Sequence, residues 1–208
     1  MVMTNTIGIV AAFDFDETLT DRDTLLPFLR SVVGTRQYFI NMLRLSPILA
    51  AYTLRFIPNW QAKQAVLLHF LAGIPQEQLH KAAEHFAEHE IPKWLRHEAV
   101  ERLRWHQSKG HHTILVSASL AIYLQPWAQH MGIQDVLGTE LEVQKGRFTG
   151  RIKGRNCHGP EKLARLQRLI NMEHCCLHAY GDSKGDRELL SAAQYPYYRT
   201  FSQNSDPV

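Results

Sequence analysis

Asp14 and Asp16, separated only by Phe15, close an apolar run that starts at Ile7. The run is short and partly β-branched, which predicts a buried strand over Ile7–Phe13. Period-two geometry aims both carboxylates the same way if the strand continues. Carboxylates gathered at the carboxyl end of a strand repel one another and need a cation, and hard oxygen donors suit Mg²⁺. An aspartate held beside such an ion can attack phosphorus as a nucleophile.

Three further clusters stand where strands are expected to end: Ser117-Ala118-Ser119 after Thr113–Val116, Lys162 after Gly159-Pro160-Glu161, and Gly181 to Asp186 after Cys175–Tyr180. Open α/β sheets bind ligands outside the carboxyl ends of their strands, so these points can converge. Their chemistry is complementary. Asp14 would form an aspartyl phosphate, while Asp16 protonates the leaving alcohol and later deprotonates water. Ser117 and adjacent backbone N–H groups, with Ala118 the neighbour, would bind phosphoryl oxygens. Lys162 supplies a fixed positive charge. Asp182 completes the magnesium site, with Asp186 in support.

The elements that must position these groups follow from the pattern. Strand-like runs at Ile7–Phe13, Thr113–Val116, Val136–Leu141 and Cys175–Tyr180 alternate with helical segments, as in β-α units. The expected fold is α/β, a doubly wound, Rossmann-like parallel-sheet core. Between the first two runs lies a long helical stretch, far more than one crossover needs. Leu79, Ala82, Ala83, Phe86 and Ala87 keep helical spacing there, and a helix is expected from Pro92 to Lys109, ended by Gly110. The reading is a catalytic core from residues 1–25 and 92–208, with a small helical cap, 26–91, inserted after the first strand. Val143 to Lys153 alternates around Lys145-Gly146 and predicts a hairpin. Only the last few residues look loose.

Other features take plainer readings. Ser117 has a competing role as a helix cap before Leu120 to Met131, Asp186 as a partner of Arg187, and Asp23 as a cap of the next helix. His85 and His89 with Glu88 read as a solvated helix face, because no third ligand stands at a metal-binding spacing. Cys175 and Cys176 read as small core residues, and Leu45–Leu54 as the core of a cap helix. Arg36, Arg44 and Arg55 are candidates for a substrate-anion clamp.

A chain of 208 residues that is 45% hydrophobic and 21% charged is ordinary for a globular protein and long enough for a sizeable core. A formal charge of +3, with no dense Lys/Arg stripe, gives no case for nucleic acid. Cys157, Cys175 and Cys176 form neither a disulfide framework nor a paired zinc signature, and no charged segment precedes the first apolar run, so a reducing cytoplasm is expected. Phe39 to Ile57 is apolar but broken by Arg44, Pro47 and Arg55, whereas a span needs roughly 20 apolar residues. Spanning is rejected and docking on a membrane surface stays open. Oligomeric state is not legible.

Taken together, these motifs resemble the haloacid dehalogenase-like phosphatases. Asp14-Phe15-Asp16-Glu17-Thr18-Leu19-Thr20 matches their first motif, D-x-D-x-T-L/V; Ser117, Lys162, and Gly181-Asp182 with Asp186 match the second, third and fourth in order. The resemblance implies Asp14 as nucleophile, Asp16 as acid/base, and a Mg²⁺ held by the Asp14 carboxylate, the Asp16 backbone carbonyl and Asp182. The helical insertion and the hairpin are similar to those of the phosphoserine-phosphatase-like branch, which implies a small phosphomonoester such as phosphoserine as substrate. Those enzymes carry Ser-Gly-Gly and Gly-Asp-Gly-x-Asn-Asp where this chain has Ser-Ala-Ser and Gly-Asp-Ser-Lys-Gly-Asp. They also place a Glu on the substrate amine where this chain has Asp23. Leu43 to Arg55 and Asn156 to Lys162 also resemble the phosphatidylglycerophosphate phosphatases of the branch. A phosphotransferase or mutase would share the machinery. A phospho-receiver module would need neither this length nor a cap.

Overall fold

The computed structural model describes residues 8–201. Ile7 and the loose end expected at the C-terminus lie outside the described residues. The strands are Gly8–Phe13 (β1), His112–Leu120 (β2), Asp135–Thr139 (β3), Leu141–Gln144 (β4), Arg147–Ile152 (β5), Cys175–Gly181 (β6) and Tyr195–Tyr198 (β7). β3, β2, β1, β6 and β7 form one parallel sheet in that order, so the chain winds outward in both directions from β1. This is the doubly wound α/β core that the pattern predicts. Alternation along each strand divides the apolar side chains between two layers. Ala11, Phe13, Leu115 and Tyr180 enter one cluster, and Val10, Ala12, Ile114, Val116, Leu177 and Ala179 the other.

The helices are Leu25–Val33 (α1), Thr35–Thr53 (α2), Asn59–Leu71 (α3), Gln76–His89 (α4), His97–Ser108 (α5), Ala121–His130 (α6), Pro160–Leu169 (α7) and Arg187–Ala192 (α8). α7 and α8 cover the second layer through Leu166, Leu189 and Leu190. The first layer runs on into α1, α3 and α4, where Leu79, Ala83, Phe86 and Ala87 are buried as their spacing predicts and Ala82 is half-buried. The inserted helices therefore share one continuous core with the sheet. The hairpin β4–β5 turns at Lys145 and Gly146, both at positive φ, the geometry of a type I′ connection. It sits against the inserted helices: Gly73 and Gln76 donate backbone N–H groups to Phe148 and Gly146, and Ile74 accepts from Phe148. Gly150 holds φ +76, and a Cβ there would stand 2.6 Å from the Leu68 Cα, so the hairpin lies on α3 only because this residue has no side chain.

Four expectations differ. Strand β2 runs to Leu120, so Ser117, Ala118 and Ser119 belong to the strand itself rather than following an end at Val116. The helix expected from Pro92 is instead a 3₁₀ turn over Ile91–Trp94, an extended break, and then α5. The break has a cause: Arg96 donates to the Leu19 carbonyl, Asp21 donates to Trp94, and Leu95 bridges Thr20, so the loop after β1 captures that backbone. Cys175 and Cys176 are half-buried at the start of β6, so only Cys175, which packs on the second layer, joins the core, whereas Cys157 is fully buried. Of the stretch Leu45–Leu54, Leu45 alone is buried while Tyr52 and Leu54 are exposed, so it is only in part a core.

Candidate active site

β1 delivers Asp14 to the carboxyl end of the sheet, where its N–H still donates to the Tyr180 carbonyl of β6 at 2.9 Å. The chain then folds into a tight turn, with the N–H groups of Thr18, Leu19 and Thr20 converging on the Phe15 carbonyl. Phe15 and Leu19 are fully buried, Phe15 packing against Trp127. That anchoring leaves Asp14 and Asp16 on the outer side of the turn.

Lys162, in the first turn of α7, reaches under the sheet's end to bridge two carboxylates, Asp14 at 2.6 Å and Asp186 at 2.5 Å. All three side chains are buried. Burial alone would drive the ammonium down, but the two carboxylates hold it above the usual lysine range. Burial, aided by Asp186, pushes Asp14 up to about 7 against the attraction of Lys162. Burial also opposes charge on Asp186, yet contact with Lys162 wins and holds its carboxyl below the usual range.

The loop after β6 is fixed by Asp186, whose Oδ2 accepts from the Ser183 N–H at 3.0 Å, the Ser183 hydroxyl at 2.7 Å and the Asp182 N–H at 3.3 Å. Gly181 makes this closure feasible, since a Cβ there would meet Asp186 at 2.6 Å. Asp182 stands beside Asp14, takes the Thr18 hydroxyl at 3.4 Å, and is raised by burial and by Asp186 and Glu17. Asp14, Asp182 and Asp186 each offer an oxygen within 4.8 Å of the others. Hard, buried oxygen donors of this kind fit Mg²⁺. Asp186 spends its oxygens on Lys162 and the loop, so Asp14 and Asp182 are the carboxylates that would hold such an ion.

A pH dependence follows. A carboxyl whose pKa is near 7 folded and 3.8 unfolded binds its proton more tightly in the fold, so its contribution to stability is present below 3.8 and lost as pH rises to about 7. Without divalent metal, the Asp14 site should therefore cost stability at neutral pH. Adding Mg²⁺ there should raise the melting temperature of the parent chain but not of Asp182→Ala. Equal response of both would mean that these carboxylates hold no metal.

The Asp16 carboxylate takes no part in this cluster. Its Oδ1 accepts from the Thr24 N–H at 2.9 Å and the Thr24 hydroxyl at 2.6 Å, and its Oδ2 accepts from the Ser119 hydroxyl. Burial raises it to about 6, with Asp23 adding repulsion and Ser119 and Thr24 opposing. Tyr123 sits behind, its hydroxyl 3.0 Å from Thr24. A carboxyl so placed can hold or release one proton near neutrality.

These groups open into a cavity of about 560 Å³ whose lining includes Asp14, Asp16, Ser117, Ala118, Lys162 and Asp182. Asp23 borders this cavity and accepts the Leu25 N–H at 2.9 Å, just ahead of Thr24, the N-cap of α1. Ser117 does not cap α6, whose first residue follows Leu120; its hydroxyl accepts the Ser119 N–H at 3.1 Å. Arg36, Arg44 and Arg55 are exposed and do not line this cavity. The cation that the inserted helices contribute is Lys63 of α3, which donates to the Ala118 carbonyl at 2.6 Å and the Asn156 side chain at 3.0 Å. Burial lowers it to about 8 against the pull of Asp16 and Asp23. His85 and His89 lie on the exposed face of α4 and do not line this cavity.

Sequence reasoning assigned no role to Lys63, Thr24, Tyr123 or Asn156. Their part in the site comes from tertiary contacts: Thr24 with Asp16 and Tyr123, and Lys63 with Ala118 and Asn156. Ser119 was within reach, as the second hydroxyl of Ser-Ala-Ser two residues beyond Ser117 on the same face of β2.

The profile of the haloacid dehalogenase-like hydrolases matches residues 11–191. Protein CicA of Caulobacter vibrioides is 37% identical over 204 residues, covering 96% of this chain and 90% of CicA. The phosphoserine phosphatase SerB1 of Mycobacterium tuberculosis is 26% identical, covering 87% of this chain and 61% of its own length. A crystal structure of a protein of unknown function from Bordetella pertussis Tohama I superposes with a TM-score of 0.77 at 28% identity, over 90% of this chain and 87% of that one.

Proposed function

The chain belongs to the haloacid dehalogenase-like hydrolases, and from that membership we propose that it is a Mg²⁺-dependent phosphomonoesterase working through an aspartyl phosphate on Asp14. One observation carries the reading: Lys162 bridges buried Asp14 and Asp186 while Asp16, nearby, is held apart by Ser119 and Thr24. Two carboxyls of one turn are thus kept in different environments, which is how a nucleophile and a proton carrier are separated.

In the first step an Asp14 oxygen attacks phosphorus, the ester P–O bond breaks, and the proton on Asp16 passes to the departing alkoxide. In the second, Asp16 takes a proton from water as its oxygen attacks phosphorus, and the acyl phosphate bond returns its electron pair to Asp14. Lys162 offsets charge on the nucleophile, and Ser117 borders the phosphoryl position. When bound by Asp14 and Asp182, Mg²⁺ would add the counter-charge that the transferring group needs. The cavity fits a small-molecule phosphomonoester, and similarity to SerB1 supports phosphoserine as the first substrate to try. A lipid phosphomonoester is the second reading, because the inserted helices line the cavity with Leu25, Leu26, Pro27, Leu49, Ala62 and Val66. Three free cysteines accord with a reducing, cytoplasmic setting.

The test is phosphate release with Mg²⁺ from phosphoserine, a phosphomonoester lipid and p-nitrophenyl phosphate. Asp16→Asn should cost roughly 10²–10⁴-fold with an alkyl ester, whose leaving group needs a proton. It should cost much less in the first step with p-nitrophenyl phosphate, whose leaving group does not. Equal losses in the first step on both, read as the pre-steady-state burst of leaving group, would remove the general-acid role, and no release from any of the three would remove the phosphatase reading.

A further inference from the structure

Helix α2 is apolar on two sides. Its inner side, with Tyr38, Leu45, Ile48 and Leu49, packs on the core. Helical spacing puts Phe39, Leu43, Pro47 and Ala50 together on another face, and the face continues through Leu54 at the helix's end. There Phe39 is 60%, Leu43 75%, Leu54 65%, Phe56 79% and Trp60 57% exposed. A helix apolar all round is ordinarily covered on all sides, and exposed apolar residues gathered in one place mark an interaction surface.

The elbow between α2 and α3 has a defined shape. Phe56 donates its N–H to Ala51, Arg55 stands at φ +63, and the Asn59 amide donates to the Tyr52 hydroxyl at 3.1 Å. Tyr52 and Leu26 are at once exposed and part of the cavity lining, so the apolar surface runs up to the mouth of the active site.

Charge identifies the partner. Residues 24–76 contain no Asp or Glu, although the whole chain has 20. They carry Arg30, Arg36, Arg44, Arg55 and Lys63, and of these Arg36, Arg44 and Arg55 are exposed beside the apolar face. Bulky apolar side chains ringed by arginine, without a single carboxylate, match the headgroup layer of an anionic bilayer. No described helix is long and apolar enough to cross a membrane, so the element lies on the surface.

We propose that the α2–α3 elbow, residues 36–60, docks on an anionic phospholipid bilayer and seats the cavity mouth against the headgroups. That consequence for substrate access rests on the phosphatase reading, whereas the docking itself does not. The test is co-sedimentation of the full chain with phosphatidylcholine vesicles, with and without phosphatidylglycerol. The parent should partition onto the anionic vesicles and salt should release it. Replacing Arg36, Arg44 and Arg55 by Gln should weaken partition roughly a hundredfold. Leu43→Glu with Phe56→Glu should weaken it about tenfold or more. None of these residues lines the cavity, so hydrolysis of soluble p-nitrophenyl phosphate should stay within about twofold in both variants, a check that they fold. Partition is measured on Asp14→Asn as well, so the result stands whichever way the phosphatase assay falls. No partition of the parent, equal partition onto pure phosphatidylcholine, or parent-like partition of both variants would overturn docking. So would a lipid-free dimer that Phe56→Glu dissociates, since a second copy would then be what covers the face.

Discussion

Asp14→Asn should abolish turnover, by roughly 10⁴- to 10⁶-fold, while the protein stays folded. The amide keeps the size of the carboxylate and still offers an oxygen to Lys162, so the contact made at 2.6 Å can persist. What it lacks is the anionic oxygen whose charge makes it a nucleophile toward phosphorus. Because burial works against a charged Asp14 and pushes it up to about 7, removing that charge relieves a cost in the metal-free chain. The melting temperature should accordingly hold or rise as activity vanishes. Acid quenching of the parent during turnover of a ³²P-labelled phosphomonoester should leave label on the protein, released by mild alkali as expected of an acyl phosphate. The variant should carry none. A variant retaining activity within about tenfold of the parent, or labelling like it, would place the nucleophile elsewhere.

How much of this was legible beforehand differs by residue. Asp14 and Asp182 were, because each follows a strand whose apolar run is local, and a parallel sheet brings strand ends together without further information, whereas Lys162 was legible only as the opening of a helix after Gly159-Pro160-Glu161. Lys63 was not. It is one lysine on an ordinary helix, and only the packing of α3 on β5 at Gly150 carries it to Ala118 and Asn156. β7 was missed because Pro196 lies within it, and a proline argues against a strand except at an edge, where β7 sits. The break between Ile91–Trp94 and α5 was missed because its cause is backbone pairing with residues 19–21, remote in sequence. Leu45–Leu54 shows a deeper limit. Periodicity finds that a face is apolar, but not whether the protein itself covers it, and here two apolar faces compete for one core.

Lys162→Met should lose both activity and stability, and the pH dependence of the loss should reveal why. Methionine fills most of the volume, so the change is mainly one of charge. It leaves the carboxylates of Asp14 and Asp186 buried together without the ammonium that bridged them at 2.6 and 2.5 Å. Leaving a buried charge uncompensated costs about 3–5 kcal/mol, and losing the fixed charge at the reaction centre costs roughly 10²–10³-fold in kcat. The sign with pH follows from linkage. In the parent, Lys162 holds Asp186 below the usual carboxylate range, which contributes stability at neutral pH that is lost as pH falls through that depressed value. In the variant both carboxyls prefer to be neutral, so their folded pKa values lie above the unfolded 3.8 and the stability they permit is lost as pH rises. The gap between parent and variant should therefore be smallest in acid and widen toward pH 7, read by urea denaturation without divalent metal. Adding Asp186→Asn to Lys162→Met removes one of the stranded charges and should recover much of the stability without recovering turnover. A gap that is flat with pH, or a double variant no more stable than the single one, would mean that Lys162 acts through packing and not as the charge that allows Asp14 to exist as a buried nucleophile.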